Sequence, residues 1–327
     1  MDKILLFIFD YLLNLIFVTI AQLPWVLLKY FVTPYKRGFF CNDQSLMYPY
    51  KNSTVTNNML TAINMAIPVI TILIVELKLS GALQTFFSKK EAESTKLSFF
   101  RCAFKTLCIF FVGVGVNQSS TNMLKWVVGR LRPHFFSVCV PSYKAPCNAD
   151  LYITDAECFG TNLARIKDAR LSFPSGHSSS SMYALLFTAL YLHFRAKKCR
   201  FQVFSALLQG GLIMLSLWIG ATRISDYKHH WSDVLTGFLI GAVFAILFAS
   251  CAIAGTIYPS WNKSKMFNSA PSSPNQYGSN NQQPNRCYNP TKDPLNSESA
   301  LIGNNNIRNF EFNSNIKPPS FIPNTPV

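Results

Sequence analysis

Charged residues are scarce in this chain, and that scarcity decides which class of protein it can be. They make up 14% of the 327 residues, whereas 49% are hydrophobic and phenylalanine alone accounts for 28 positions. Soluble domains usually carry about 25% charged residues. The composition therefore excludes an ordinary soluble domain and favours an integral-membrane protein whose solvent is partly lipid.

Acidic residues are scarcer still, since 15 Asp and Glu stand against 30 Lys and Arg, for a formal net charge of +15. In a soluble protein such a balance would suggest nucleic acid as the partner. Here the basic residues lie in loops and beside apolar segments. We therefore expect a membrane surface and anionic substrates as partners, and no nucleic acid.

The sequence also lacks an internal repeat. No small-residue cleavage site follows its first apolar stretch, and this absence predicts that the first helix is retained. Six stretches are long and apolar enough to cross a bilayer of about 30 Å, and only helices satisfy their backbone there. The fourth is short and opens with four serines, so hydropathy supports it least. The predicted spans are 4–28, 59–77, 103–121, 178–193, 203–221 and 234–258.

The predicted fold class is all-α: residues 1–258 form an integral-membrane bundle of six transmembrane helices. Residues 259–327 are rich in Asn, Ser and Pro and predict a disordered cytoplasmic tail. Six spans put the first, third and fifth loops on one side and both termini on the other. The basic fourth loop marks the side of the termini as cytoplasmic, although the first loop also holds basic residues. We expect the plasma membrane as the location.

Two features of the loops agree with this orientation. Asn52-Ser53-Thr54, in the first loop, is a glycosylation sequon, although chance explains it about as well. Cysteines also cluster in the first and third loops, as an oxidising compartment permits. Cys147 and Cys158 could form a disulfide, but Cys139 and Cys41 compete with them, so the connectivity stays open. The remaining cysteines, Cys102, Cys108, Cys199, Cys251 and Cys287, are expected to be free thiols.

Three polar clusters lie at the ends of spans on one side of the predicted membrane. The first runs from Lys125 to Arg132-Pro133, after the third span. Residues seven apart on a helix share a face, and two fixed cations suit a phosphate dianion. For this segment alone, basic side chains that snorkel to the interface are an equally good interpretation.

The second cluster is Pro174-Ser175-Gly176-His177, at the start of the fourth span. Ser175 can cap the helix, and Gly176 lets a phosphate approach the free N–H groups of its first turn. His177 would then face that anion. The alternative is an ordinary helix cap with a surface histidine.

The third cluster joins Arg223 to His229 and Asp233, between the fifth and sixth spans. Residues four apart are neighbours on a helix. A carboxylate that accepts one imidazole N–H leaves the other nitrogen unprotonated and nucleophilic. Lys228 and His230 flank His229 and are expected to be peripheral. Taken alone, this segment could be a solvated polar loop.

Together the clusters supply cations, two histidines and one carboxylate, which suits phosphoryl transfer without a metal. The alternatives are a catalytically inactive scaffold, a transporter of lipids or small molecules, and a phosphatase for sugar phosphates or diphosphates. A transporter would not explain why both histidines and all these cations converge on one side.

The pattern Lys-x6-Arg-Pro, Pro-Ser-Gly-His and Arg-x5-His-x3-Asp resembles the type 2 phosphatidic acid phosphatase superfamily. The segments 37–43, 171–177 and 223–237 are similar to its animal lipid phosphate phosphatases, the wunen-like group included. The resemblance covers residues 4–258. One departure is Thr222, where the family usually has Ser before the arginine, and Thr keeps the hydroxyl.

The resemblance implies a role for each motif residue. His229 would attack phosphorus, Asp233 would orient it, and His177 would protonate the leaving oxygen, with no metal or other cofactor. The implied substrates are phosphatidic acid, lysophosphatidic acid, ceramide 1-phosphate and sphingosine 1-phosphate. The preferred lipid stays open, as does the oligomeric state, a homo-oligomer included. The phosphate oxygens would be held by Lys125, Arg132, Ser175, Gly176 and Arg223.

Overall fold

The computed structural model describes residues 3–80, 92–142, 152–154, 156–195 and 202–257. The predicted tail, 259–327, lies outside these residues. The described part is dominated by eight α-helices. They are α1 (Lys3–Phe31), α2 (Asn57–Leu79), α3 (Ala92–Val128), α4 (Phe135–Cys139), α5 (Leu163–Ala169), α6 (Gly176–Arg195), α7 (Gln202–Ser225) and α8 (Trp231–Ile257).

Five of these helices, α1, α2, α3, α7 and α8, are long and apolar enough to cross a membrane. They coincide with five of the six predicted spans. The predicted fourth span is α6, whose 20 residues extend about 30 Å at 1.5 Å per residue. The all-α membrane bundle is thus confirmed, and a count of six spans is consistent with it. Helix α3 extends beyond the predicted third span, 103–121, at both ends.

The serines at the start of helix α6 are tolerated because the helix is enclosed by other helices of the bundle. It packs against α2, α3, α7 and α8, so its serines face protein. Ser179 hydrogen-bonds Thr121 of α3 at 3.0 Å, and Ser181 hydrogen-bonds Ser216 of α7 at 3.2 Å. A helix enclosed by other helices does not need an apolar surface. This enclosure explains why hydropathy supports the fourth span least.

Two glycines bring α8 into direct contact with α6. A Cβ atom on Gly241 would lie 2.3 Å from the carbonyl oxygen of Ser179, and one on Gly237 would lie 2.6 Å from that of Ser175. Small residues allow membrane helices to approach this closely. The contact places the first turn of α8 beside the first turn of α6.

The bundle has an apolar centre and a charged cluster at one end. The centre contains Phe110, Tyr183 and Phe187, all with 0–1% of their surface exposed. At the end of α2, Glu76 accepts hydrogen bonds from Tyr191 and from Arg195, whose Nη2 lies 2.7 Å from Glu76 Oε1. We call these three side chains the far-end cluster.

The loops at the opposite end are held by two short antiparallel pairings. Strand β1 (Phe39–Phe40) pairs with β3 (Tyr152–Ile153), and β2 (Pro141–Ser142) pairs with β4 (Glu157–Cys158). These pairings join the first loop to the third and fold the third loop back on itself.

A disulfide reinforces the second of these pairings. It joins Cys139 to Cys158, so Cys147 is not the partner of Cys158. Cys41 is disulfide-bonded as well. So is Cys102, and the prediction of a free thiol there was wrong. Cys108 and Cys251 are free, as expected.

Candidate active site

The predicted site residues meet at one end of the bundle, which we call the site end. Lys125 is in the last turn of α3, His177 is in the first turn of α6, and Asp233 is in the first turn of α8. Arg223 is in the last turn of α7, and His229 lies in the loop that follows. Segments distant in sequence therefore converge at one end, as span counting predicts.

Arg132 is positioned by a loop and not by the helix on which it was predicted. Helix α3 ends at Val128, and Gly129 turns the chain with a φ of 54°. Arg132 is therefore in a loop, and the prediction that it shares a helical face with Lys125 was wrong. Its Nη2 donates to Asp168 Oδ1 at 2.7 Å, while its Nε is buried without a hydrogen-bond partner in the described structure.

Lys125 lies beside the N-terminus of α6. Its Nζ donates to the carbonyl of Leu171 at 3.1 Å, and a Cβ atom on Gly176 would lie 3.6 Å from its Cε. Ser175 caps this helix as predicted, because its Oγ accepts the N–H of Ser178 at 3.4 Å. The first turn thus offers N–H groups and a buried ammonium to an anion.

His229 and Asp233 are buried, with 3% and 0% of their surface exposed. Burial lowers the pKa of His229 well below its ordinary value, the carboxylate of Asp233 raises it in part, and the charge of Arg132 lowers it again. The imidazole is therefore neutral at neutral pH, as a nucleophile requires. His229 Nδ1 lies 3.8 Å from Asp233 Oδ2, which is longer than a hydrogen bond.

The carbonyl of Val55, just before α2, positions two of the predicted residues. It accepts His177 Nε2–H at 3.2 Å and Arg223 Nη1–H at 3.1 Å. Arg223 also donates to Asp226 Oδ2 at 2.7 Å, and Asp226 in turn accepts the N–H of Thr54. Sequence reasoning missed both residues. Val55 acts through its backbone carbonyl, which leaves no signal in residue type, whereas Asp226 acts through its carboxylate, three residues after Arg223.

Two further residues bind Asp233 directly and were also missed. Arg130 Nη1 donates to Asp233 Oδ1 at 2.6 Å, and Ser172 Oγ donates to Oδ2 at 2.6 Å. Arg130 lies inside the first sequence cluster, between Lys125 and Arg132, so its position could have identified it as a candidate site residue. His230, expected to be peripheral, donates its backbone N–H to Asp233 Oδ2 at 3.0 Å. The carboxylate is therefore held from three sides.

Lys228, expected to be peripheral, is buried near two of the predicted site residues, Arg132 and Arg223. Only 6% of its surface is exposed, and its Nζ lies 3.6 Å from the centre of the Tyr50 ring. Burial lowers the pKa of Lys228 to about 8, and the charges of Arg132 and Arg223 contribute to the decrease. The ammonium of Lys228 is therefore close enough to Arg132 and Arg223 to interact with their charges.

This arrangement can bind a phosphate monoester and attack it. A neutral imidazole is surrounded by cations and by the N-terminus of α6, and Arg132 and Arg223 each keep a buried Nε without a hydrogen-bond partner in the described structure. Among the described residues, no three His, Cys, Asp or Glu side chains are grouped so as to hold a metal ion.

Comparison with known proteins identifies relatives along most of the chain. The PAP2 superfamily matches residues 106–255. Phospholipid phosphatase 1 of Mus musculus is 41% identical over 238 residues, which cover 72% of this chain and 82% of that protein. Phospholipid phosphatase 2 of Homo sapiens is 37% identical over 236 residues, which cover 72% and 80%. No solved structure matches the chain.

Proposed function

This chain belongs to the PAP2 superfamily and is a lipid phosphate phosphatase of the membrane, and on that premise we propose how it acts. It hydrolyses phosphatidic acid, lysophosphatidic acid, ceramide 1-phosphate and sphingosine 1-phosphate through a phosphohistidine at His229. The observation that carries this proposal is the buried, neutral imidazole of His229, whose pKa is lowered by burial and by the nearby charges of Arg132 and Lys125.

In the first step, His229 Nε2 forms a bond to phosphorus as the bond to the lipid oxygen breaks. His177 gives a proton to that oxygen, so a neutral alcohol leaves. Lys125, Arg132 and Arg223, with the hydroxyl of Ser175 and the N–H of Gly176, hold the three remaining phosphate oxygens. Their charges take the part that a metal ion has in other phosphatases.

In the second step, water attacks the phosphohistidine. His177, now deprotonated, accepts a proton from that water, the bond between His229 and phosphorus breaks, and inorganic phosphate leaves. Both steps use the same cations, because the phosphoryl group carries the same charge in each. At the end of the second step His229 is neutral again, and His177 has regained the proton that it gave in the first step.

We further propose that the site end faces outward at the plasma membrane, or into a lumen, and that both termini are cytoplasmic. Asn52 is exposed and lies just before α2, at the site end. A glycan on Asn52 would therefore lie on the same side as the active site. Intact cells should then hydrolyse an added, impermeant short-chain lipid phosphate, and a C-terminal tag should stain only after permeabilisation.

The proposed chemistry is tested by phosphate release from purified protein in detergent. The four lipid phosphates should be hydrolysed in excess EDTA, and vanadate should inhibit as a mimic of five-coordinate phosphorus. A glucose phosphate would serve as the water-soluble control substrate, and we expect it to be a poor one. If chelation removed activity and magnesium restored it, the assignment of the phosphate-binding role to protein cations would be wrong.

A further inference from the structure

Asp233 Oδ2, the carboxylate oxygen that lies 3.8 Å from His229 Nδ1, has no hydrogen-bonding capacity left for His229. Each carboxylate oxygen has two lone pairs. Oδ2 already accepts Ser172 Oγ–H at 2.6 Å and the backbone N–H of His230 at 3.0 Å, and Oδ1 accepts Arg130 at 2.6 Å. This accounts for the 3.8 Å between His229 Nδ1 and Oδ2.

The hydroxyl of Ser172 fills the gap between the two side chains. Its proton is committed to Asp233, so its oxygen is free to accept a hydrogen bond, and His229 Nδ1 lies 3.5 Å from it. That distance is at the long end of hydrogen bonding, and such contacts tighten when substrate is bound. We propose that Ser172 is a positioning residue, which accepts His229 Nδ1–H and links it to Asp233.

The backbone holds Ser172 in this place. Its N–H donates to the carbonyl of Arg130 at 2.9 Å, and the N–H of Ser175 donates to the carbonyl of Asp233 at 2.9 Å. The segment before α6 is therefore tied both to the loop after α3 and to the first turn of α8. Ser172 is also completely buried, so water does not compete for its hydroxyl.

The link has two consequences for the proposed phosphohistidine chemistry, on which this inference rests. A hydrogen bond from Nδ1–H to Ser172 fixes the tautomer in which Nε2 is unprotonated and can attack. When Nε2 is phosphorylated, the ring becomes more acidic at Nδ1–H. Because its proton is bonded to the carboxylate of Asp233, the Ser172 hydroxyl is polarised and accepts the more acidic Nδ1–H more strongly, which stabilises the phosphorylated ring.

Ser172→Ala in the full-length, detergent-purified protein tests the link. A hydrogen bond to a charged network is worth about 10- to 100-fold in rate, so kcat should fall by that factor with KM within about twofold. Ser181→Ala is the matched control, because Ser181 is an equally buried serine whose partner is Ser216 of α7 and not a predicted site residue. Ser172→Thr, which keeps the hydroxyl, should restore most of the rate.

The pH profile separates positioning from a structural effect. The carboxylate of Asp233 raises the pKa of His229 in part, so loss of the link should move the acidic limb of kcat/KM to lower pH. If Ser172→Ala is too unstable to purify, Ser172→Cys keeps the size with a weaker donor and should shift the limb in the same direction.

The inference is overturned if Ser172→Ala, or Ser172→Cys in its place, leaves kcat within about twofold and the limb unmoved, or if it lowers kcat only as much as Ser181→Ala does. Labelling of the unmutated protein separates the two hypotheses. A phosphoenzyme that depends on His229, with unchanged Ser172 kinetics, refutes only the role of Ser172. Absence of any phosphoenzyme refutes the proposed mechanism itself.

Discussion

The far-end cluster makes a quantitative prediction about how the bundle is held together. Glu76 and Arg195 each expose 3% of their side chain, and Arg195 Nη2 lies 2.7 Å and 2.8 Å from the two carboxylate oxygens. Removing one partner of such a buried pair leaves an unpaired charge and costs about 3–5 kcal/mol. Glu76→Gln and Arg195→Gln should each lower the melting temperature in detergent by roughly 6–20 °C.

The double variant Glu76→Gln/Arg195→Gln distinguishes this reasoning from a general packing effect. It leaves no unpaired charge, so its loss of stability should be clearly smaller than the sum of the two single losses. The pair is also far from the site, since Arg195 lies eighteen residues from His177, about 27 Å along α6. KM should therefore be unchanged in all three variants. Additive losses, or single variants as stable as the unmutated protein, would refute the argument.

Three further predictions concern the charges at the site end. Arg132→Gln removes a charge that lowers the pKa of His229, so the acidic limb of kcat/KM should move to higher pH; a limb that stayed in place would contradict the proximity of the two groups. Lys228→Gln should raise KM about tenfold. Lys228→Arg should retain substrate affinity above pH 8, where the unmutated protein loses this charge. An unchanged KM in Lys228→Gln would show that Lys228 does not contribute to substrate binding. Arg130→Gln loses the 2.6 Å contact with Asp233 and should lower kcat about 10- to 100-fold with KM nearly constant, and equal changes in both parameters would argue against a positioning role.

The membrane bundle could be predicted from the sequence because lipid imposes a simple requirement on helices that face it. Five spans satisfy that requirement by length and apolar composition. Helix α6 does not, because its neighbours are other helices and its serines bond to Thr121 and Ser216. The start of α6 also carries predicted site residues, so the segment with the weakest hydropathy is the one that contributes to the site.

The site could be predicted only as far as side-chain chemistry reveals it. Residue types and spacing predicted His229 and Asp233 as site residues. A helical spacing rule also placed Arg132 on α3, but that helix ends at Val128 and Gly129 turns the chain. The contacts of Ser172 and Val55 depend on where the backbone of other segments runs, which spacing does not encode. The Cys139–Cys158 pairing likewise required the fold of the third loop.

The measurement that tests the central claim most directly is trapping of the phosphoenzyme. Purified protein is mixed with lipid phosphate labelled with ³²P, quenched in alkali, where phosphohistidine is stable, and mapped by proteolysis. The account predicts label on His229 and loss of label in His229→Ala. In His177→Ala, label should be retained when a labelled aryl phosphate, whose leaving group is already acidic, replaces the lipid phosphate. Label that persists in His229→Ala, or that maps to another residue, would contradict the account.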